Sequence, residues 1–281
     1  MLMSAILWYK KFRSDLEDID FVFNPYDPCV ANKIVNGYQQ TIRFHVDDVM
    51  SSHVDSKVND EFEIWLNKMH GEHGEVKTTR GDTHDYLGMT FKFDFEKGEV
   101  KVDMKDYVKG MLEDFPIKFN KIKKGGKPIT LATTEMFNED LSKKLNESER
   151  EVFHKFTAKG LFACERARQD MQPIILVLCA RVKNPGRNDW NKLVRMMKFL
   201  SETEADVLTL SANRGLHSTE WHIDASFAVH PDFKSHAGAT QVFKGSKGAV
   251  QSVSAKQKLN TLSSTTSELV GVDHVLPMVL W

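Results

Sequence analysis

Gln40-Thr41-Ile42-Arg43-Phe44-His45-Val46-Asp47-Asp48-Val49-Met50-Ser51-Ser52 is the stretch on which the fold turns. Two short apolar runs, Gln40 to Phe44 and Val49 to Ser52, flank a polar His45-Val46-Asp47-Asp48, the pattern of a hairpin with two aspartates near its tip. Upstream, Asn24-Pro25-Tyr26-Asp27-Pro28 is turn chemistry, and Trp8 to Asp18 reads as the tail of a helix. Downstream, Asp55 to His70 predicts a helix with Val58, Phe62, Trp65, Leu66 and Met69 on one face. Strands are expected over Tyr86 to Phe93 and Glu99 to Val102, joined through Glu96-Lys97-Gly98. The clearest helix follows. Met104, Tyr107, Val108, Met111, Leu112 and Phe115 recur at helical spacing, Asp103 is placed to cap the start, and Pro116 stops it.

Lys118 to Lys127 is basic and bears glycine, and it is the best linker candidate. It fits either a solvated loop or a template or primer contact. Helices are then expected over Ser148 to Arg168, Pro173 to Val182 and Asp189 to Glu202. From Asp206 the pattern changes to short strands: Val207 to Leu210, Glu220 to Ser226, Gly238 to Phe243 and Val250 to Ser254. A last helix starts near Ser264. No internal repeat is visible.

Composition bounds the reading. The chain has 281 residues, a formal net charge of -1, 41% hydrophobic and 27% charged residues. This is a globular balance for one to two domains, and any nucleic-acid surface must be local. Cys29, Cys164 and Cys179 are far apart and odd in number, which argues against a disulfide framework or zinc knuckle and for a reducing, intracellular setting (cytoplasm or nucleus). The apolar run Pro173 to Ala180 is too short to span a bilayer, so no membrane partner is expected. Met1 to Leu7 has no basic residues before it, so no signal peptide is expected.

The aspartates give the hairpin its chemical interest. Two-metal phosphoryl-transfer sites hold divalent ions about 4 Å apart with carboxylates that project together into a cleft. A tight hairpin tip projects side chains in that way. Taken alone, two adjacent aspartates in a turn equally suit plain polar turn residues.

The order of motifs says more. Trp8-Tyr9-Lys10-Lys11, then Phe21 to Cys29, then Phe44-His45-Val46-Asp47-Asp48 resemble the copia-type LTR-retrotransposon reverse transcriptase series. The resemblance continues through Asp85-Tyr86-Leu87-Gly88-Met89, near the primer grip, and through Asp106-Tyr107-Val108 and Met111 to Pro116. Most reverse transcriptases have tyrosine where this chain has His45. The resemblance implies an α+β fold. Residues 1–117 would form a partial palm and thumb, residues 118–205 a linker and connection helices, and residues 206–281 a truncated ribonuclease H-like domain. It implies RNA-directed DNA polymerase activity on an RNA/DNA template-primer, with Mg2+ as cofactor and Asp47 and Asp48 as catalytic metal ligands. The family's third aspartate lies on a strand upstream of the hairpin and finds no match here, and Met1 to Leu7 stand where Gly-Leu-Lys-Gln is expected. The chain is therefore expected to be inactive alone. The rival expectations are an enzyme completed by further segments, and a non-catalytic nucleic-acid-binding relic.

A second carboxylate set comes from the same resemblance. Trp221-His222-Ile223-Asp224-Ala225-Ser226 is similar to the first ribonuclease H strand, and Ser263-Ser264-Thr265-Thr266-Ser267-Glu268-Leu269 to the start of its first helix. Asp224 and Glu268 would then be the first two metal ligands of that site, and a third would lie past Trp281. Read by residues alone, Asp224 is an ordinary strand-end carboxylate, and Thr265 and Glu268 have capping-box spacing. If both hold one magnesium ion, their carboxylates meet within roughly 3 to 5 Å. The helix is expected to lay Leu269, Val272 and Leu276 on the sheet. Three weaker features remain. His70 to Glu75 is too irregular for a metal face, and Gly245-Ser246-Lys247-Gly248 reads as a hairpin turn. Arg166 and Arg168 suit either a helix dipole or a nucleic-acid backbone.

Overall fold

The computed structural model describes residues 2–120, 126–211 and 215–280, apart from the side chains of Leu2, Met3 and His73. Lys121, Lys123 and Lys124 of the basic loop lie outside the described residues. The chain divides into two compact units, Met1–Leu87 and Gly88–Trp281.

In the first unit, α1 (Leu2–Glu17) leads into β1 (Val22–Phe23), β2 (Val30–Val35), β3 (Tyr38–His45) and β4 (Asp48–Ser52), then α2 (Ser56–His70) and β5 (Thr83–Tyr86). β1 to β4 form an antiparallel meander. Asn36-Gly37 closes the β2–β3 hairpin with φ of 53° and 82°, the paired left-handed conformation of a type I′ turn. Alternation along β3 points Ile42 and Phe44 inward and Arg43 and His45 outward. Phe12 and Leu16 of α1 meet Ile42 and Phe44 of β3 and Phe62 and Leu66 of α2 in one core. The Asp55 carboxylate caps α2 by accepting from the Lys57 amide. On α2, Val58, Phe62 and Leu66 are buried as expected, whereas Met69 is exposed.

The second unit contains β6 (Met89–Asp94), β7 (Glu99–Asp103), α3 (Lys105–Asp114), α4 (Glu147–Cys164), α5 (Gln172–Arg181), α6 (Arg187–Glu202), β8 (Leu208–Ser211), β9 (Thr219–Ser226), β10 (His236–Phe243), β11 (Gln251–Lys256) and α7 (Ser264–Leu280). α3 to α6 enclose a core of Met111, Phe115, Phe153, Phe156, Ile174, Ile175, Leu178, Leu193, Met196 and Leu200. Gly160 lets α4 approach its neighbours, since a Cβ there would sit 2.7 Å from Ile175 Cδ1 and 3.1 Å from Met196 Cε. β9, β10 and β11 form the expected antiparallel sheet, with Asp224 opposite Gly238 and Gly238 opposite Ser254.

Two expectations need correction. The strand read as Tyr86 to Phe93 is broken at Leu87-Gly88, where φ is 52° and 74°. Val207 to Leu210, assigned to the terminal domain, pairs as β8 with β7, placing Leu208 opposite Val102 and Leu210 opposite Val100. β8 thus joins the strands that precede the helices.

Candidate functional site

β3 and β4 are joined by the shortest of hairpin connections. His45 pairs with Asp48, leaving Val46 and Asp47 as the turn. Val46 has φ of 56°, a region that β-branched residues avoid. The tight turn places Asp47 and Asp48 next to each other at the tip, and both are exposed. Beneath the tip, the Phe44 ring meets Phe12 edge-on at 4.9 Å and Tyr9 at 6.0 Å. Trp8 of α1 donates its indole N–H to the carbonyl of Val46. Tyr86 is within electrostatic range of Arg43 and Asp48, and burial raises its phenol above the ordinary value. The Trp8, Phe44 to Asp48 and Tyr86 segments are thus gathered in one unit.

The second set is arranged differently. Asp224 is exposed in β9, and its Oδ1 accepts from the Ala225 amide at 2.9 Å. Its neighbour Ala225 faces α7: a Cβ on Gly271 would lie 3.6 Å from Ala225 Cβ and 3.7 Å from Ala237 Cβ. Successive strand residues point to opposite faces, so Asp224 looks away from the helix that carries half-buried Glu268. The two carboxylates can converge only around the outer edge of β9, which among the described strands pairs with β10 alone. The face of α7 also differs from expectation. Ser267, Gly271 and Val275 are buried, while Leu269, Val272 and Leu276 are 67%, 46% and 43% exposed. The alanines of β9 and β10 favour small residues opposite them. Capping falls elsewhere too, because Ser263 Oγ accepts from the Thr266 amide, leaving Glu268 beyond the capping turn.

The remaining candidates resolve by their contacts. His70 Nε2 lies 3.3 Å from buried Asp15 Oδ2, and Lys11 Nζ lies 2.5 Å from Asp15 Oδ1. Burial lowers the His70 imidazole against the pull of Asp15. The His73 side chain of that run lies outside the described residues. Arg168 is buried, bonding Asp170 and the carbonyl and hydroxyl of Thr203, which is a structural role. Arg166 stacks its guanidinium 3.4 Å from the centre of the Phe162 ring, which itself stacks on Tyr107. Gly245 and Gly248 have positive φ in the connection after β10, as a turn requires.

Two clusters carried no readable motif. His236 Nε2 lies 2.7 Å from Ser254 Oγ, and its Nδ1 lies 3.1 Å from His230 Nε2. Burial, with His230 beside it, lowers the His236 imidazole to about 4. Asp140 accepts from the Asp189 amide at 2.7 Å and from Ser142. Burial would raise the Asp140 carboxyl, but these hydrogen bonds win and hold it at about 2. Its neighbour Asp189, fully buried, is raised by burial. Both pairs join residues distant in sequence or separated by a turn, which leaves no local pattern.

Among the described residues no three His, Cys, Asp or Glu side chains form a group that could hold a metal ion. No described helix is long and apolar enough to cross a membrane.

No family model matches the chain, and no solved structure does. It is similar to the retrovirus-related Pol polyprotein from transposon TNT 1-94 of Nicotiana tabacum, at 23% identity over 284 residues. That similarity takes in 98% of this chain but 20% of the polyprotein, so the chain spans about one fifth of its relative's length. A likeness that runs along nearly the whole chain supports its origin as a fragment of a retrotransposon Pol polyprotein.

Proposed function

We propose that the chain is a portion of a retrotransposon reverse transcriptase in which Asp47 and Asp48 are two of the metal-holding carboxylates, followed by a ribonuclease H-like segment bearing Asp224 and Glu268. The observation that carries this reading is the pair of exposed aspartates at the tip of a two-residue hairpin. Hard carboxylate oxygens suit Mg2+, and two adjacent ones at a tight, exposed tip are open to a shared ion. When bound, Mg2+ would activate a primer hydroxyl and steady the triphosphate leaving group. The chain's own part is positional. Phe44 anchors the strand, the turn carries the carboxylates, and Tyr86 is within electrostatic range of Asp48. Two carboxylates with no third ligand grouped with them among the described residues hold an ion weakly, so this chain alone is not expected to extend a primer.

Mn2+ binding followed by electron paramagnetic resonance tests the reading, alongside primer extension on an RNA template. Weak Mn2+ binding that disappears in Asp47→Asn and Asp48→Asn is the expected result, with no primer extension. Mn2+ binding indifferent to both substitutions would remove the polymerase assignment. Template-dependent incorporation abolished by Asp48→Asn would instead show that the chain is active alone.

A further inference from the structure

We propose that Trp8 is a positioning residue for the aspartate pair. This rests on the reverse transcriptase reading. Val46 occupies the first turn position with φ of 56°, where a valine side chain crowds its own backbone and glycine would be at ease. Something outside the hairpin must hold it there. The indole N–H of Trp8 reaches the Val46 carbonyl from α1, 38 residues away in sequence.

The donor is itself fixed. The Trp8 ring stacks on Phe12 at 5.2 Å with 9° between planes, and meets the His70 ring edge-on at 5.0 Å. Phe12 is fully buried, and the His70 ring packs edge-on against it at 5.9 Å. The indole therefore has one orientation, and its N–H points at the turn. A carbonyl held in this way fixes the peptide plane between Val46 and Asp47. That plane sets where the Asp47 and Asp48 carboxylates point. Trp8 touches neither carboxylate and acts only through the turn.

Trp8→Phe keeps an aromatic ring against Phe12 and His70 but removes the donor. Amide hydrogen exchange and Mn2+ affinity, measured on the whole chain, read the consequence. Exchange at Val46 to Val49 should quicken about fivefold, the loss expected of one hydrogen bond, with β2 and the rest of β3 unchanged. Mn2+ affinity should fall by a similar factor. Adding Val46→Gly to Trp8→Phe should restore affinity to within about twofold, because glycine holds the positive φ unaided. The proposal is overturned if Trp8→Phe leaves exchange at the tip unchanged. It is equally overturned if exchange quickens evenly through α1, β3 and β4, which is the signature of lost ring packing, or if Val46→Gly restores nothing. Should Mn2+ binding prove independent of Asp48 in the unsubstituted chain, the polymerase reading fails, and exchange at the tip alone decides whether Trp8 holds the turn.

Discussion

The hairpin of β3 and β4 and the sheet of β9 to β11 each carry exposed aspartate, but they place it by different means. At the hairpin, one tight turn carries two neighbouring aspartates, and the geometry is local. On the sheet, Asp224 stands on the face away from α7, the helix that carries Glu268. The first arrangement depends on one peptide plane and the core beneath it. The second depends on register, helix seating and what lies along the outer edge of β9. A local site survives wherever its turn survives, whereas a convergent site needs every supporting element at once.

The largest test of that contrast removes the hairpin's anchor. Phe44 is 2% exposed and meets three aromatic rings, so Phe44→Ala should cost about 4 kcal/mol of unfolding free energy. Chemical denaturation measures it. A cost below about 1 kcal/mol would mean that the tip does not depend on the core beneath it.

Acid should act on the sheet through His236. A depressed imidazole contributes stability above its unfolded value of 6.5, and that stability is lost as pH falls from about 6.5 to about 4. The full effect is on the order of 3 kcal/mol. A His236→Gln variant should show a flatter stability profile over that window. An unchanged slope would mean that His236 is not the group responsible.

Helix seating gives a mid-sized effect. Gly271→Leu would push α7 off Ala225 and Ala237, for a loss of about 2 kcal/mol, while Leu269→Ala should change stability by less than about 0.5 kcal/mol. The reverse order in denaturation would restore the Leu269, Val272 and Leu276 face expected from sequence.

The smallest effect is expected at the aspartates themselves. Asp47→Asn, Asp48→Asn and Asp224→Asn alter exposed groups and should each shift stability by less than about 0.5 kcal/mol. Thermal melts would check this. A large loss at Asp224 alone would make it a structural residue.

The hairpin was legible because its signals are local: two apolar runs and a polar tip. α3 was legible from spacing, although its N-cap is Met104 and Asp103, one residue earlier, only accepts from the Lys105 amide. β2 was not read, although Asn36-Gly37 is a strong hairpin signal. The face of α7 is not legible because apolar residues from Leu269 onward fall on more than one side, so periodicity does not choose a face. The alanines opposite made the choice, and they lie on other strands. The break at Leu87-Gly88 was hidden because leucine rarely adopts positive φ. The bond from Trp8 to Val46, and the chain from His230 through His236 to Ser254, join residues that sequence keeps apart.

Two of the three thiols also make the chain its own reporter. Cys164 is buried and pushed up to about 12, so at neutral pH almost none of it is thiolate and a maleimide passes it by. It would react only when the helical core around it opens. Cys29 is half-buried beside the hairpin strand, its carbonyl accepting from the Phe44 amide at 3.0 Å. Its thiol is raised by burial as well, so its labelling would follow the loosening of β2 and β3. Peptide mapping after timed alkylation would thus time the opening of each unit separately, with no residue added to the chain.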